Sequence, residues 1–250
     1  MHFVGVDLAW GGGSSGLTCL VAQGDDLILT VMHNLHGIPA LLDWIDQHLP
    51  VPIPGVIAVD APTLIPNATG MRLPDRLAHR YFGRYDAGCY PANLRRPFAA
   101  LTTGFGHSLV TRGFAHAPTI TAQVPGRYQI EVFPHPAMIR LFHLSRILKY
   151  KKGSLAERRP ELQRLRHYLS TVLPSLIPRL VLPEPLPEIP SRGRACKAVE
   201  DQLDSLMCAY VGAYWWYWGS RRNQVLGDLD QGYLVIPMPE SVGNDTVNNS

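Results

Sequence analysis

The chain opens on Phe3-Val4-Gly5-Val6-Asp7-Leu8-Ala9, a nearly continuous apolar run that stops at Gly11-Gly12-Gly13-Ser14-Ser15-Gly16. Such a run ended by glycines predicts a buried strand followed by a turn. Gly16 to Ala22 and Leu27 to Met32 follow at hairpin spacing around Gly24-Asp25-Asp26, which predicts a three-strand meander. Ile38, Leu41, Leu42, Ile45 and Leu49 then fall on one helical face, with Pro39 suited to a first turn. Gly55 to Val59 is a short all-apolar run closed by Asp60-Ala61-Pro62, the pattern of a second buried strand. Hairpin strands, a crossover helix and a buried strand make the first half of a mixed α/β sheet.

Regular periodicity lapses over residues 63–126, a stretch rich in Arg, Gly, Pro and Tyr that reads as an insertion at the rim of the sheet. Tyr128 to Phe133 resumes as a strand, and residues 136–148 predict a helix with Ala137, Leu141, Leu144 and Leu148 on one side. Ser154 and Glu157 have the spacing of a capping box ahead of Leu162, Leu165 and Leu169. Residues 174–194 carry so many prolines that an extended connector is expected. A long helix is predicted over residues 197–217, with Gly232 to Pro237 as a late edge strand and residues 239–250 as a polar, disordered tail. The expectation is one domain over residues 1–238.

Composition adds less than the distribution of charge does. With 46% hydrophobic and 17% charged residues, the 250-residue chain is neither fibrous nor disordered in type. The formal charge of +3, however, averages three unlike segments. Residues 1–62 hold six Asp and no Lys or Arg, residues 63–197 hold 21 Lys and Arg against seven Asp and Glu, and residues 198–250 hold two against seven. A basic stretch between two acidic ones suits carboxylates set inside a positive rim. No apolar run reaches membrane-spanning length, no basic leader precedes Asp7, and the four cysteines lack metal-ligand spacing. These features predict a protein of the reducing cytoplasm with no membrane partner.

Candidate chemistry lies in acidic residues placed where apolar ones belong. Asp7 ends the first strand, Asp60 ends the second buried strand, and Glu131 sits inside Gln129-Ile130-Glu131-Val132-Phe133. An isolated strand-end Asp commonly caps a loop. Three carboxylates in central strands instead point to a shared ligand, because each is costly to desolvate without a cation or a proton. On the late helix Asp201 and Asp204 are i,i+3 neighbours on an arc with Lys197, beside a core stripe of Val199, Leu203, Leu206, Met207, Tyr210 and Tyr214. Acids in a first helical turn also arise without any ligand. The same arc continues through Cys208, Val211 and Trp215, which is unlike a solvated face. Hard oxygen ligands in this number select Mg²⁺ or Mn²⁺ and suit phosphodiester hydrolysis by a two-metal mechanism.

The order of motifs VGVDLAW, hairpin strands, helix, IAVDAP, IEVFPH and KAVEDQLDS resembles the RNase H-like superfamily. More closely, it resembles an uncharacterised domain-of-unknown-function family of predicted RNase H-like nucleases, over roughly residues 1–236. That resemblance takes in Tyr150-Lys151-Lys152, Arg158 and the Arg72/Asp75 segment. It implies a five-stranded mixed sheet, a meander plus parallel strands, flanked by helices. It also implies Asp7 as the first-strand metal ligand, Asp60 and Glu131 as further ligands, and Asp201 or Asp204 as the late-helix ligand. The terminal D-x-x-D helix resembles that of Holliday-junction resolvases. Ser205 departs from the Ala that commonly follows the last Asp.

Other segments extend or compete with this picture. Arg72, Arg76, Arg80 and Arg84 recur every four residues with Tyr81 and Tyr85 beside them, as a basic, aromatic ridge for nucleic acid would. Arg72, Arg76, Arg95, Arg96, Lys151 and Lys197 are the candidate phosphate-binding residues. The Gly11 to Gly16 turn resembles the phosphate loops of sugar-kinase and actin-like ATPases, so a nucleotide- or phosphometabolite-binding protein is the alternative, with a noncatalytic binding module as the third reading. The aromatic cluster at 214–218 reads as core packing or a dimer interface, and His135 stands close enough to Glu131 in sequence to relay a proton.

Overall fold

The computed structural model describes residues 1–239. The expected disordered tail therefore lies, from residue 240 on, outside the described residues. Strands β1 (His2–Asp7), β2 (Ser14–Gln23) and β3 (Asp26–His36) form the expected meander, and α1 (Ile38–His48) leads to β4 (Gly55–Val59). In the basic stretch lie α2 (Leu73–Phe82), α3 (Ala99–Thr111) and β5 (Ala115–His116), then β6 (Arg127–Glu131), α4 (Pro134–Leu141), α5 (Leu155–Thr171) and β7 (Arg179–Val181). Helix α6 (Gly193–Trp218) and the hairpin of β8 (Asn223–Asp228) and β9 (Gly232–Pro237) follow.

The main sheet has seven strands in the order β5-β6-β4-β1-β2-β3-β7. Its central five are those expected from the sequence; the other two come from segments read as irregular. Within the insertion, β5 pairs parallel to β6, and within the proline-rich connector β7 pairs parallel to β3. Both are three residues or fewer, too short for an alternation to register. The expected late edge strand, β9, joins β8 in a separate two-stranded ribbon; it meets the main sheet through the Val132–Val235 bridge and through Tyr233, whose hydroxyl donates to the Gln129 carbonyl at 3.0 Å. The helix expected over 136–148 starts earlier and stops at Leu141, and the chain then turns through His143 at a positive φ of 52°.

Two apolar layers enclose the sheet. On one face α6 packs with α2, α4, α5 and β9 over Phe3, Val56, Ala58 and Ile130. On the other, Leu41, Leu42 and Ile45 of α1 and Phe105 and Leu109 of α3 cover Val4, Val6, Ile57 and Val59. Helix α6 is buried all round from Val199 to Trp215 except at Gln202, wider than the single stripe its periodicity predicts. Two glycines make this possible. A Cβ on Gly5 would collide with the Ser205 and Ala209 backbone, and one on Gly16 with the Asp201 carbonyl, so only Gly lets β1 and β2 accept the helix this closely. Buried Thr18 Oγ1 and Ser205 Oγ meet across the same contact at 2.7 Å, which gives the departure at position 205 a partner. Of the aromatic cluster, Tyr214 and Trp215 are buried in the core, where Trp215 Nε1 donates to the Ala117 carbonyl at 3.0 Å, while Trp216, Tyr217 and Trp218 are half-buried.

Candidate active site

Parallel pairing of β1 and β4 aligns Val6 with Val59, and the Asp60 amide donates to the Val6 carbonyl at 2.9 Å. Asp7 and Asp60 thus leave adjacent strand ends side by side. Alternation turns both toward the α6 face, since Val6 and Val59 belong to the opposite layer. The close approach of α6 then brings in Asp204, which is fully buried. Tyr150 donates to Asp204 Oδ1 at 2.6 Å, and Lys151 Nζ lies 2.8 Å from Asp204 Oδ2 and 4.0 Å from Asp60 Oδ2. Despite that ion pair, Asp204 Oδ2 accepts no hydrogen bond from any described residue.

Mutual repulsion marks the group. Burial pushes the Asp7 carboxyl well above its ordinary range; Asp204, Asp60 and Asp201 push the same way, and Lys151 opposes them. Asp60 is pushed up to about 6, by burial first and then by Asp204, against Lys151 and Lys197. Burial acts against the Lys151 ammonium, but Asp204, Asp7 and Asp60 hold it firmly charged. These are carboxylates short of positive charge.

Asp201 sits one turn away in a different environment. Its Oδ1 takes the Lys197 ammonium at 2.6 Å and its Oδ2 accepts from Ser14 at 3.3 Å. Lys197 also reaches Glu200 at 2.8 Å, and Arg158 closes on Glu200 at 2.6 Å while donating to the Tyr150 carbonyl at 2.8 Å. Tyr150 and Lys151 with Arg158 therefore form a clamp that fixes α6 by its acids. Glu200 and Tyr150 were not singled out as site residues from the sequence. The usable signal was the aromatic and basic run next to a buried, acid-bearing helix.

Glu131 is not part of this group. Its Cα pairs with Val59 and its neighbour Ile130 with Ala58, so Glu131 lies one residue out of phase with Asp60, and Val132 takes the position beside Asp60. Its carboxylate is bound at both oxygens: Oε1 accepts from the Leu64 amide at 2.6 Å and Thr63 at 3.2 Å, and Oε2 from Arg72 Nη1 at 2.7 Å. Arg72 also holds Asp75, at 3.0 Å, and the Leu64 carbonyl, at 2.8 Å. Burial pushes the Glu131 carboxyl up, and Arg72 is the main opposing influence.

Several expected phosphate-binding residues are also placed differently. Arg72 is 4% exposed and ion-paired, so the four-residue arginine ridge does not form; Arg76 and Arg80 stay exposed on α2, and Arg84 lies in the 3₁₀ turn beyond it. Lys151 stands among carboxylates and Lys197 is held by two more, while Arg95 is exposed and Arg96 lies 5.0 Å over the Tyr90 ring. His135 is near the carboxylate group, its ring 5.5 Å from that of Tyr150. Burial lowers its imidazole to about 4, with Lys151 acting the same way, so it is neutral at pH 7.

Beside Asp7, Asp60 and Lys151 opens a cavity of about 770 Å³, the scale of a small-ligand site. Residues 5–229 match the model of a family described as a protein of unknown function, DUF429. The chain belongs to this family. Neither the curated proteins nor the solved structures give a match. In this DUF429 chain no helix of the described residues is long and apolar enough to cross a membrane.

Whether these residues suit a metal turns on Asp204 and Lys151. Among the described residues no three carboxylate, imidazole or thiolate groups are disposed around one point as metal ligands, and the Lys151 ammonium lies 2.8 Å from Asp204 Oδ2 and 4.0 Å from Asp60 Oδ2. The donor chemistry nevertheless fits a hard divalent cation: all oxygen, and including the buried Asp204 Oδ2, whose one close partner is the Lys151 ammonium at 2.8 Å.

Proposed function

We propose that the protein is a divalent-metal-dependent hydrolase of phosphodiester bonds in nucleic acid, of RNase H-like type. The observation that carries this reading is the convergence of Asp7, Asp60 and Asp204 from two strand ends and a buried helix, with burial and mutual repulsion raising Asp7 and Asp60. The strand order β3-β2-β1-β4-β6 within the sheet, with the first and fourth strands carrying the acids, supports it. With Glu131 committed to Arg72, three carboxyl groups share one lysine, so their full ionisation leaves two negative charges uncompensated. That deficit suits one Mg²⁺ or Mn²⁺ held by Asp7, Asp60 and Asp204, with Lys151 as the second cation, in place of a two-metal scheme. A bound divalent ion supplies charge neutralisation at phosphate and an acidified water. The chain's own residues do the rest. Tyr150 fixes the Asp204 rotamer through its short hydrogen bond, Lys151 offers a charge to a phosphate oxygen, and Arg158, Glu200 and Lys197 hold the helix in register.

The test is incubation of the protein with single-stranded, hybrid and branched nucleic acids in Mn²⁺ or Mg²⁺. Cleavage that chelation stops and Asp7→Asn abolishes is expected. Absence of cleavage on all of them, or cleavage unaffected by Asp7→Asn, overturns the reading. The nucleotide-sized cavity favours one alternative, binding of a free nucleotide or phosphometabolite without hydrolysis of nucleic acid, and calorimetry with ATP and small phosphates separates the two.

A further inference from the structure

The cavity beside the carboxylates has two unlike walls. Trp10, Tyr90 and Phe133 line it, and so do Lys149, Lys151 and Lys152, with Asp7 and Asp60 among the lining acids. Trp10 follows Asp7 by three residues, so an aromatic ring stands within a nucleotide's reach of the acid. The aromatic side is built rather than incidental. Trp10 and Phe98 rings lie 4.6 Å apart, and Tyr90 meets Phe98 edge-on at 6.1 Å, so buried Phe98 props both. Tyr90 is nonetheless 60% exposed, more than any other Phe, Tyr or Trp among the described residues, with the Arg96 guanidinium 5.0 Å from its centroid. On the basic side Lys152 is exposed and makes no ion pair among the described residues, whereas Lys149 meets Asp86 at 3.7 Å.

We infer that this cavity takes one unstacked base of a nucleic-acid strand, its phosphates toward the lysines and the carboxylates, so that the substrate is single-stranded or unpaired at the cut. This rests on the nuclease reading above and narrows it. Sequence-tolerant strand binding combines cationic contact to phosphate with aromatic faces for bases, and both walls are present here. A cavity of about 770 Å³ is of single-ligand size, and a base within a continuous duplex reaches aromatic rings in such a space only by leaving its stack. A free nucleotide shares the chemistry, and the experiment separates it from a strand.

The probes are a fluorescein-labelled 12-mer of thymidylate, the same strand in a blunt duplex with its adenylate complement, and thymidine monophosphate. Binding is read by anisotropy in Ca²⁺, with the mononucleotide as competitor, and cleavage of both polymers is read separately in Mn²⁺. Expected are single-strand affinity at least tenfold above that for the duplex and a roughly tenfold single-strand loss in Tyr90→Ala and Trp10→Ala. Tyr90→Phe should restore binding, which assigns the effect to the aromatic ring and not to the hydroxyl, and both alanine variants should keep the wild-type Tm. Equal affinity for strand and duplex, or unchanged single-strand binding in both alanine variants, overturns the inference and leaves the nuclease reading standing if either polymer is cut. Mononucleotide binding tighter than the 12-mer overturns it in favour of a free nucleotide. Selective strand binding with no cleavage in Mn²⁺ supports the base pocket and overturns the nuclease reading.

Discussion

Two buried acidic groups lie at the same end of one sheet and differ in how they are satisfied. Around Arg72, the Glu131 and Asp75 carboxylates have partners at every oxygen: Leu64, Thr63 and Arg72 for the first, Arg72 and the Ala92 amide for the second. Around Lys151, the Asp7, Asp60 and Asp204 carboxylates crowd one ammonium, and Asp204 Oδ2 accepts no hydrogen bond. A buried charge that is fully paired fixes local structure, and here the first group ties the start of the insertion to β6. Buried charges left short of positive partners cost stability, and a fold keeps them where a ligand completes the set. Composition does not distinguish the groups; satisfaction does.

That contrast breaks most visibly in activity. Replacing Asp204 by Asn should remove several kcal/mol of transition-state stabilisation, a loss of roughly 10³-fold or more in kcat/KM, while circular dichroism stays native. Arg72→Met should do the reverse. It leaves two buried carboxylates unpaired and should cost about 3–5 kcal/mol, a fall in Tm of roughly 6–20 °C. A melting point near wild type would place Glu131 and Asp75 in the unsatisfied class as well.

A third outcome concerns pH and carries a definite sign. Asp60 rises from 3.8 to about 6 on folding, so the folded state holds its proton more tightly than the unfolded state. Its contribution to stability is therefore present below pH 3.8 and lost as pH rises through about 6, on the order of 3 kcal/mol in all. In EDTA, Asp60→Asn should gain on wild type between pH 4 and 7 in urea unfolding; a constant difference across that range would remove Asp60 from the strained group. The smallest effect is expected at the surface. Arg95→Ala should change stability by less than about 0.5 kcal/mol and lower the salt dependence of strand binding by about one phosphate contact.

Much of the fold was legible because its central elements carry strong periodic signals. The meander, β4, β6 and the stripe on α6 all stand where apolar spacing puts them. Short β5 and β7, hidden among glycines and prolines, were not legible, since two or three residues carry no period. Of the site, Asp7, Asp60 and Asp204 could be named from their positions at strand ends and on an apolar arc. Arg72 and Lys151 carry, in the sequence, only the mark of a basic residue available to phosphate; each is drawn to a buried acid instead, a pairing between distant segments that no local pattern shows.

The sequence by itself determined which carboxylates are expensive to bury, and that they come from both acidic ends of the chain around a basic middle. Only the tertiary structure decided which of them share a site. Strand register turned Asp60 toward α6 and Glu131 away from it, a difference of one residue that flips a side chain across the sheet. Helix approach did the remainder. The bare Cα atoms of Gly5 and Gly16 let α6 carry Asp204 to Asp7 and Asp60, and that distance depends on backbone contact between segments some 190 residues apart, which no local pattern encodes.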